Sequence, residues 1–297
     1  MAQTIQEGLS RGQLEGGSLD EHSTEYIDTV EAYNKWAEVY DTDGNFLQAL
    51  DTIEMRDLLP RFLALIQAQA QAKVGMESSS NVEPALKLVD LGCGTGRNTL
   101  QLAKSAPKDV QIIGLDASIG MLEVAGEVLR GMGRDKIMLG MYDLLAPSDS
   151  SSGMVSLPPA GSLRDQLGDG ASGVISTLVL EHIPLGKFFE GAARLVRPGG
   201  YFLVTNMHAE MGAISQAGFV DVKTGKKIRP TSYAHEIGDV VTAAKGVGFE
   251  VVALDEAAER VREKRVDDAM AERLGPRARK WVGVTVWFGV CFRMRPG

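Results

Sequence analysis

Apolar positions along the chain follow two rhythms. Between residues 26 and 40, Tyr26, Ile27, Val30, Tyr33, Trp36, Ala37 and Tyr40 recur mostly at steps of three and four, which gathers side chains on one face of a helix. The run Asp41-Thr42-Asp43-Gly44 should end that helix. A second helical stretch over residues 49–73 puts Ile53, Leu58, Leu59, Phe62, Leu65 and Ile66 on one buried side, and Pro60 would kink or divide it. After a Ser-rich break at 77–81 the rhythm changes. Short apolar runs at 87–91, 110–116, 136–142, 173–178 and 200–206 read as strands, and helical patterns lie between them at 97–105, 119–130 and 185–196. Such alternation builds a parallel sheet with helices on both faces. Past residue 206 the order breaks: turn signals fill 207–232, followed by a helix at 232–247, a strand at 249–254, a charged helix near 256–274 and a last strand at 281–294.

This pattern divides the chain into three parts. Residues 1–24, rich in Gly, Ser, Gln and acids, are expected to be a disordered tail, residues 25–80 an N-terminal helical cap, and residues 81–297 an α/β domain. Within that domain the Ser-, Gly- and Pro-rich stretch 146–172 reads as a flexible insertion, and 207–247 as a second insertion, a natural place for substrate-contacting structure. Composition fits a globular chain, with 44% hydrophobic and 24% charged residues among 297. The net charge of −8 argues against a non-specific grip on nucleic acid, which needs clustered Lys and Arg. Two cysteines make no disulfide framework, residues 1–24 lack a charged-then-apolar leader, and no apolar run is long enough to span a bilayer. The expected compartment is the cytosol, with no membrane partner.

The most informative stretch is Leu88-Val89-Asp90-Leu91-Gly92-Cys93-Gly94-Thr95-Gly96, an apolar strand running into three glycines at alternate positions. Glycine permits the positive backbone angles of a tight turn and removes the Cβ that would hold a ligand off the main chain. The helix that follows offers free N–H groups. Asp116 ends the next strand, 20 residues after Gly96, where a carboxylate can accept bonds from both hydroxyls of a ribose. Asp90 either caps donors of the turn or meets the ligand, and Cys93 is expected to fill the turn.

At these residues the chain resembles the class I S-adenosylmethionine-dependent methyltransferases of small-molecule type, over roughly residues 31–205. The resemblance implies a doubly wound, mostly parallel seven-stranded, Rossmann-like sheet whose last strand, 281–294, is antiparallel. It implies that Asp90, Gly92, Gly94 and Gly96 hold the methionine part of S-adenosyl-L-methionine, that Asp116 holds the ribose, and that Asp143 approaches the adenine. Ala117, Met121, Leu144 and Leu178 belong to the same implied cofactor surface. The stretch Ser176-Thr177-Leu178-Val179-Leu180-Glu181-His182-Ile183-Pro184 and the turn Leu195-Val196-Arg197-Pro198-Gly199-Gly200 also look like family signatures. The segment Tyr33-Asn34-Lys35-Trp36-Ala37-Glu38-Val39-Tyr40-Asp41 is similar to the lid of small-molecule members, which assigns Tyr33 and Tyr40 to the cofactor roof and Trp36 to the core.

The activity implied is methyl transfer to a small-molecule acceptor. His208, after the fifth strand, and His182, after the fourth, are the candidate bases at the sheet's carboxyl edge, whereas His235 is expected to cap or face water and His22 lies in the tail. The run from Arg260 to Arg265 reads as a solvated helix face. No His and Cys cluster has metal-ligand spacing, so no metal is expected. Two other readings stay open: a protein that binds the same cofactor without transferring methyl, and a nicotinamide-dependent oxidoreductase, although the latter's fingerprint spaces its last two glycines three apart, not two.

Overall fold

The computed structural model describes residues 4–7, 24–74, 86–132, 137–146, 156–157, 163–254 and 259–296. Its strands are β1 (Thr24–Tyr26), β2 (Lys87–Leu91), β3 (Gln111–Asp116), β4 (Ile137–Met141), β5 (Ser156–Leu157), β6 (Ala171–Thr177), β7 (Val196–Met207), β8 (Phe219–Val220), β9 (Lys227–Arg229), β10 (Phe249–Val252), β11 (Val261–Arg265) and β12 (Thr285–Met294). Nine of them form one sheet in the order β10-β12-β7-β6-β2-β3-β4-β5, with β11 also on β12. β4, β3, β2, β6 and β7 run parallel, and β12 is antiparallel to its neighbours β7, β10 and β11.

The parallel strands read as unbroken apolar runs because both of their faces are covered. Leu88, Ile112, Leu203 and Cys291 fall in the core on one side, together with Leu58, Phe62 and Ile66 of the helix Phe46–Val74. Their chain neighbours Val89, Ile113, Phe202, Val204, Val290 and Phe292 fall in the core on the other, with Phe188 and Phe189. The two-residue period of a strand sends successive side chains to opposite faces, and here each face meets helices.

The seven expected strands are all present, and two more join them. β5 lies inside the stretch read as a flexible loop and pairs with β4, and beyond it the helix Leu163–Leu167 buries both of its leucines. The rest of that insertion largely falls outside the described residues. β11 replaces the first part of the charged helix expected near 256–274. β10 and β11 share one edge of β12, β10 along residues 291–294 and β11 along 285–290. Arg262 and Lys264 reach Glu54 at 3.3 and 3.1 Å and Arg262 reaches Asp57 at 2.9 Å, so the basic run is a paired strand and not a solvated helix. Among the described residues there, only Asp268–Leu274 is helical, capped by the Asp267 carboxylate, which accepts the Met270 N–H.

The N-terminal part differs in detail from its periodic reading. Pro60 does not break the helix Phe46–Val74, which runs continuously for 29 residues. The first helix is confined to Thr29–Trp36, its end set by Asp28, whose carboxylate accepts the Val30 and Glu31 N–H groups. Ahead of it β1 pairs in parallel with β9, and β9 pairs with β8. Part of the expected tail is also built in: Ile5 is buried and its N–H donates to the Ser232 carbonyl. Residues 8–23 lie outside the described residues.

Candidate cofactor site

The turn after β2 is locked from below. The Gly92 and Cys93 N–H groups both donate to the Leu115 carbonyl, at 2.7 and 2.9 Å. Gly92, Gly94 and Gly96 all have positive φ, at 74°, 55° and 85°, but a Cβ would meet something different at each. At Gly92 it would sit 2.2 Å from Val179 Cγ2, and at Gly96 3.1 Å from Ala125 Cβ, so these two serve close packing. At Gly94 it would meet no protein atom within 4 Å, because Gly94 faces a cavity. The Gly94 N–H donates to Asp116 Oδ2 and the Ser118 N–H to Oδ1, both at 2.8 Å. Those bonds orient the Asp116 carboxylate at the end of β3 and hold down a carboxyl affinity for protons that burial raises.

The cavity and its open mouth together hold about 740 Å³ of space free of protein atoms. Gly92, Gly94, Asp116, Ala117 and Met121 form one side, with Tyr142, Asp143 and Leu144 after β4 and Leu178 after β6. Leu178 has φ 57°, the left-handed region that a branched side chain rarely adopts, and its N–H is fixed on the Thr205 carbonyl at 2.9 Å. Over this floor lie Thr29, Val30, Tyr33 and Tyr40 from the first helix and the turn after it. The rings of Tyr33 and Tyr40 are 5.9 Å apart, and Trp36 behind them stacks on Phe219 at 5.0 Å.

Polar contacts tie this roof to the turn. Asn34 Oδ1 accepts from Ser118 Oγ and the Gly120 N–H at 2.7 and 3.0 Å, capping the helix Ile119–Leu129 from another part of the chain. Thr95 donates its hydroxyl to Asp41 at 3.1 Å. Arg97, the first residue of the helix after the glycines, donates to the fully buried Asp51 at 2.7 Å, and Asp51 also accepts from Thr205 Oγ1 and Trp287 Nε1.

Among the described residues, His182 is the one histidine on the cavity wall. Its Nδ1 lies 2.8 Å from the Thr231 carbonyl, which can only accept, so Nδ1 carries the hydrogen; Nε2 then accepts from the Tyr33 hydroxyl at 2.7 Å. Burial lowers its proton affinity to a pKa of about 4 and raises that of the Tyr33 phenol. The pair is neutral near pH 7. Beside it the buried Glu181 carboxyl is raised by desolvation to about 7.

Of the residues expected at the site, Tyr33, Tyr40, Gly92, Gly94, Asp116, Ala117, Met121, Asp143, Leu144, Leu178 and His182 line this one cavity. Asp90, Gly96 and His208 do not. Asp90 is 1% exposed beneath the turn, one oxygen taking the Thr99 hydroxyl at 2.6 Å and the other without a partner among the described residues, and burial raises it to about 6. Gly96 packs helix on helix. His208 turns outward: Nδ1 accepts the Glu210 N–H and Nε2 sits 3.0 Å from Glu263 on β11. It is therefore an edge residue and no base for this cavity. His235 is buried rather than solvent-facing and meets the Ile183 carbonyl at 3.0 Å. Thr29, Val30, Leu91, Ser118, Tyr142, Leu145, Thr177, Val179 and Ile183 also line it without having been assigned to it from sequence; Leu91, Thr177, Val179 and Ile183 stood in the stretches singled out above, and Ser118 is the helix cap just after Asp116.

Comparison with known proteins agrees with this geometry. A family model described as a methyltransferase domain matches residues 83–248. An uncharacterized methyltransferase of Emericella nidulans is 65% identical over 295 residues, which cover 97% of this chain and 99% of that one. A carboxy-S-adenosyl-L-methionine synthase of Hydrogenovibrio crunogenus is 26% identical over 152 residues, 48% of this chain and 52% of that one. A trans-aconitate 2-methyltransferase of Deinococcus radiodurans is 51% identical over 43 residues, 14% and 16% of the two chains. With a domain match over more than half of its length and a near full-length relative at that identity, the chain belongs to the methyltransferase-domain family, as an S-adenosylmethionine-dependent methyltransferase.

Proposed function

We propose that this methyltransferase acts on a small molecule without negative charge, taken into the cavity beneath the Tyr33–Tyr40 roof. The observation that carries the reading is the lining itself. Asp116 and Asp143 contribute carboxylates, His182 is neutral, and among the described residues no Lys or Arg lines the cavity. A carboxylate or phosphate acceptor would enter a partly buried space where, among the described residues, no Lys or Arg side chain offsets its desolvation and two carboxylates repel it.

The same lining fits the cofactor. Gly94 leaves open the volume a Cβ would fill, Asp116 is oriented by two N–H groups, and the two carboxylates suit a ligand bearing a sulfonium charge. Asp116 would hold the ribose hydroxyls, Asp143 would approach the adenine, and the turn from Gly92 to Gly94 would cradle the amino-acid end. When bound, S-adenosylmethionine supplies an activated methyl group and a good leaving group. The chain's own residues then position and dehydrate: Tyr33 and Tyr40 close one side, and Leu178, Val179 and Ile183 exclude water from the other. His182 binds protons too weakly to serve as a strong base near pH 7, so the favoured acceptor is a nucleophile that reacts without one.

The test uses aryl compounds of one skeleton carrying an amine, a hydroxyl or a carboxylate, incubated with methyl-labelled cofactor. Label is expected in the amine, which reacts without a base, and preferential labelling of the carboxylate would overturn the charge assignment. Asp116→Ala should raise the dissociation constant for S-adenosylhomocysteine by about 10- to 100-fold, read by calorimetry. Unchanged affinity would remove Asp116 from the site.

A further inference from the structure

The wall that carries His182 is held from behind by a segment remote in sequence. Residues 231–233 form an extended bridge between two partners. On the cavity side the Thr231 carbonyl accepts His182 Nδ1–H at 2.8 Å, and the Tyr233 N–H donates to the Glu181 carbonyl at 2.7 Å. On the opposite side the Ser232 carbonyl accepts the Ile5 N–H at 2.8 Å, and Thr4 forms an antiparallel bridge with Tyr233. The alternation is that of a strand paired along both edges. Ile5 secures the outer pairing: its side chain is buried in the same core cluster as Met207, Met211 and Trp281. Thr4 and Glu7 close the segment on itself, each backbone N–H bonded to the other's side chain.

We propose that Thr4–Glu7 is a positioning strap of the cofactor cavity, which fixes the Thr231 carbonyl against His182 and through it sets the direction of the Tyr33 hydroxyl. A carbonyl at Nδ1 commits the ring hydrogen there, leaving Nε2 bare; a bare Nε2 commits the Tyr33 hydrogen to the ring. The Tyr33 oxygen is then left to offer lone pairs only. If residues 231–233 move away, His182 loses the bond that selects its tautomer, and Tyr33 regains freedom to rotate and to donate. A roof residue that must be ordered on binding costs affinity, so the strap acts by preorganisation. The inference rests on this cavity being the cofactor site.

The test compares S-adenosylhomocysteine binding by the full chain, by a form lacking residues 1–7, by Ile5→Asp and by Ile5→Val. The first two variants should bind about tenfold more weakly, and Ile5→Val should bind as the unaltered chain does. Nitrogen NMR of labelled histidine supplies a readout that general loosening would not give: His182 is expected as the Nδ1–H tautomer in the unaltered chain and in Ile5→Val, and as a tautomer mixture in the other two. Hydrogen exchange on the unaltered chain covers the case in which a variant fails to fold: the ligand should slow exchange at both the Ile5 and Tyr233 amides. Equal affinity in the truncated form, an unchanged His182 tautomer, or an Ile5 amide indifferent to ligand each overturns the strap. If the unaltered chain itself fails to bind S-adenosylhomocysteine, the cofactor-site reading falls and the strap falls with it.

Discussion

Gly92 and Gly94 share a positive φ but not a reason for being glycine. A Cβ at residue 92 would lie 2.2 Å from Val179 Cγ2 and 3.2 Å from its Cβ, atoms too near the backbone to swing aside. Gly92→Ala should therefore lose stability by about 2–4 kcal/mol, combining overpacking with left-handed strain. A Cβ at residue 94 would enter empty space in the cavity, so Gly94→Ala should cost only about 1 kcal/mol of folding stability. It should instead weaken cofactor binding by about tenfold or more. Urea unfolding and calorimetric titration of the two variants separate these effects, and a Gly94→Ala protein that binds cofactor normally would show that the ligand does not approach the turn there. Leu178 is the opposite case, a branched residue in a conformation glycine prefers, retained where its side chain both packs in the core and faces the cavity.

Between elements, Asp51 links four parts of the chain that the sequence keeps far apart. It sits on the helix Phe46–Val74, pairs with Arg97 after the glycine turn, and accepts from Thr205 on β7 and Trp287 on β12. Removing one member of a buried charged set leaves the others desolvated and unpaired. Asp51→Ala should cost about 3–5 kcal/mol in urea unfolding, and Asp51→Asn less, since the amide oxygen can still accept from Thr205 and Trp287. Equal losses in the two would mean that charge, not hydrogen bonding, dominates. None of this was legible in the sequence, where Asp51 is one polar position inside a helical period. The parallel strands and the glycine turn were legible because their signals are local: an apolar run, a glycine spacing, an acid closing the next strand. β11 was not, because its charged residues become a strand only when the free edge of β12 and the acids Glu54 and Asp57 are in place. His208 was misassigned for a related reason: chain position puts it at the carboxyl edge of β7, but the turn that follows aims it at β11.

At the scale of the whole molecule the roof belongs to three distant stretches, joined by the pairing of β1 with β9, the Trp36–Phe219 stack and the strap on residues 231–233. Beneath it two buried neighbours titrate in opposite senses. Glu181 is raised by burial from 4.5 to about 7, with only the Met207 N–H pulling the other way first, and Asp51 adding to the rise. The folded protein thus keeps a proton on Glu181 between pH 4.5 and 7 that the unfolded chain releases. The stability this contributes is full below about pH 4.5 and is lost as pH rises toward 7. His182, lowered from 6.5 to about 4 by burial, contributes stability that is full above 6.5 and lost as pH falls toward 4. Over their shared range the two slopes oppose, so the unaltered protein should show a shallow profile there. Glu181→Gln removes one slope and keeps an acceptor for the Met207 N–H. Its stability relative to the unaltered protein should therefore climb as pH goes from 4.5 to 7, by up to about 3 kcal/mol, since each pKa unit is worth about 1.4 kcal/mol. Groups common to both proteins, Asp90 and His182 among them, cancel in that difference. Urea unfolding of both proteins at four or five pH values measures it, and a flat or falling difference would show that the Glu181 carboxylate is ionised in the folded state throughout.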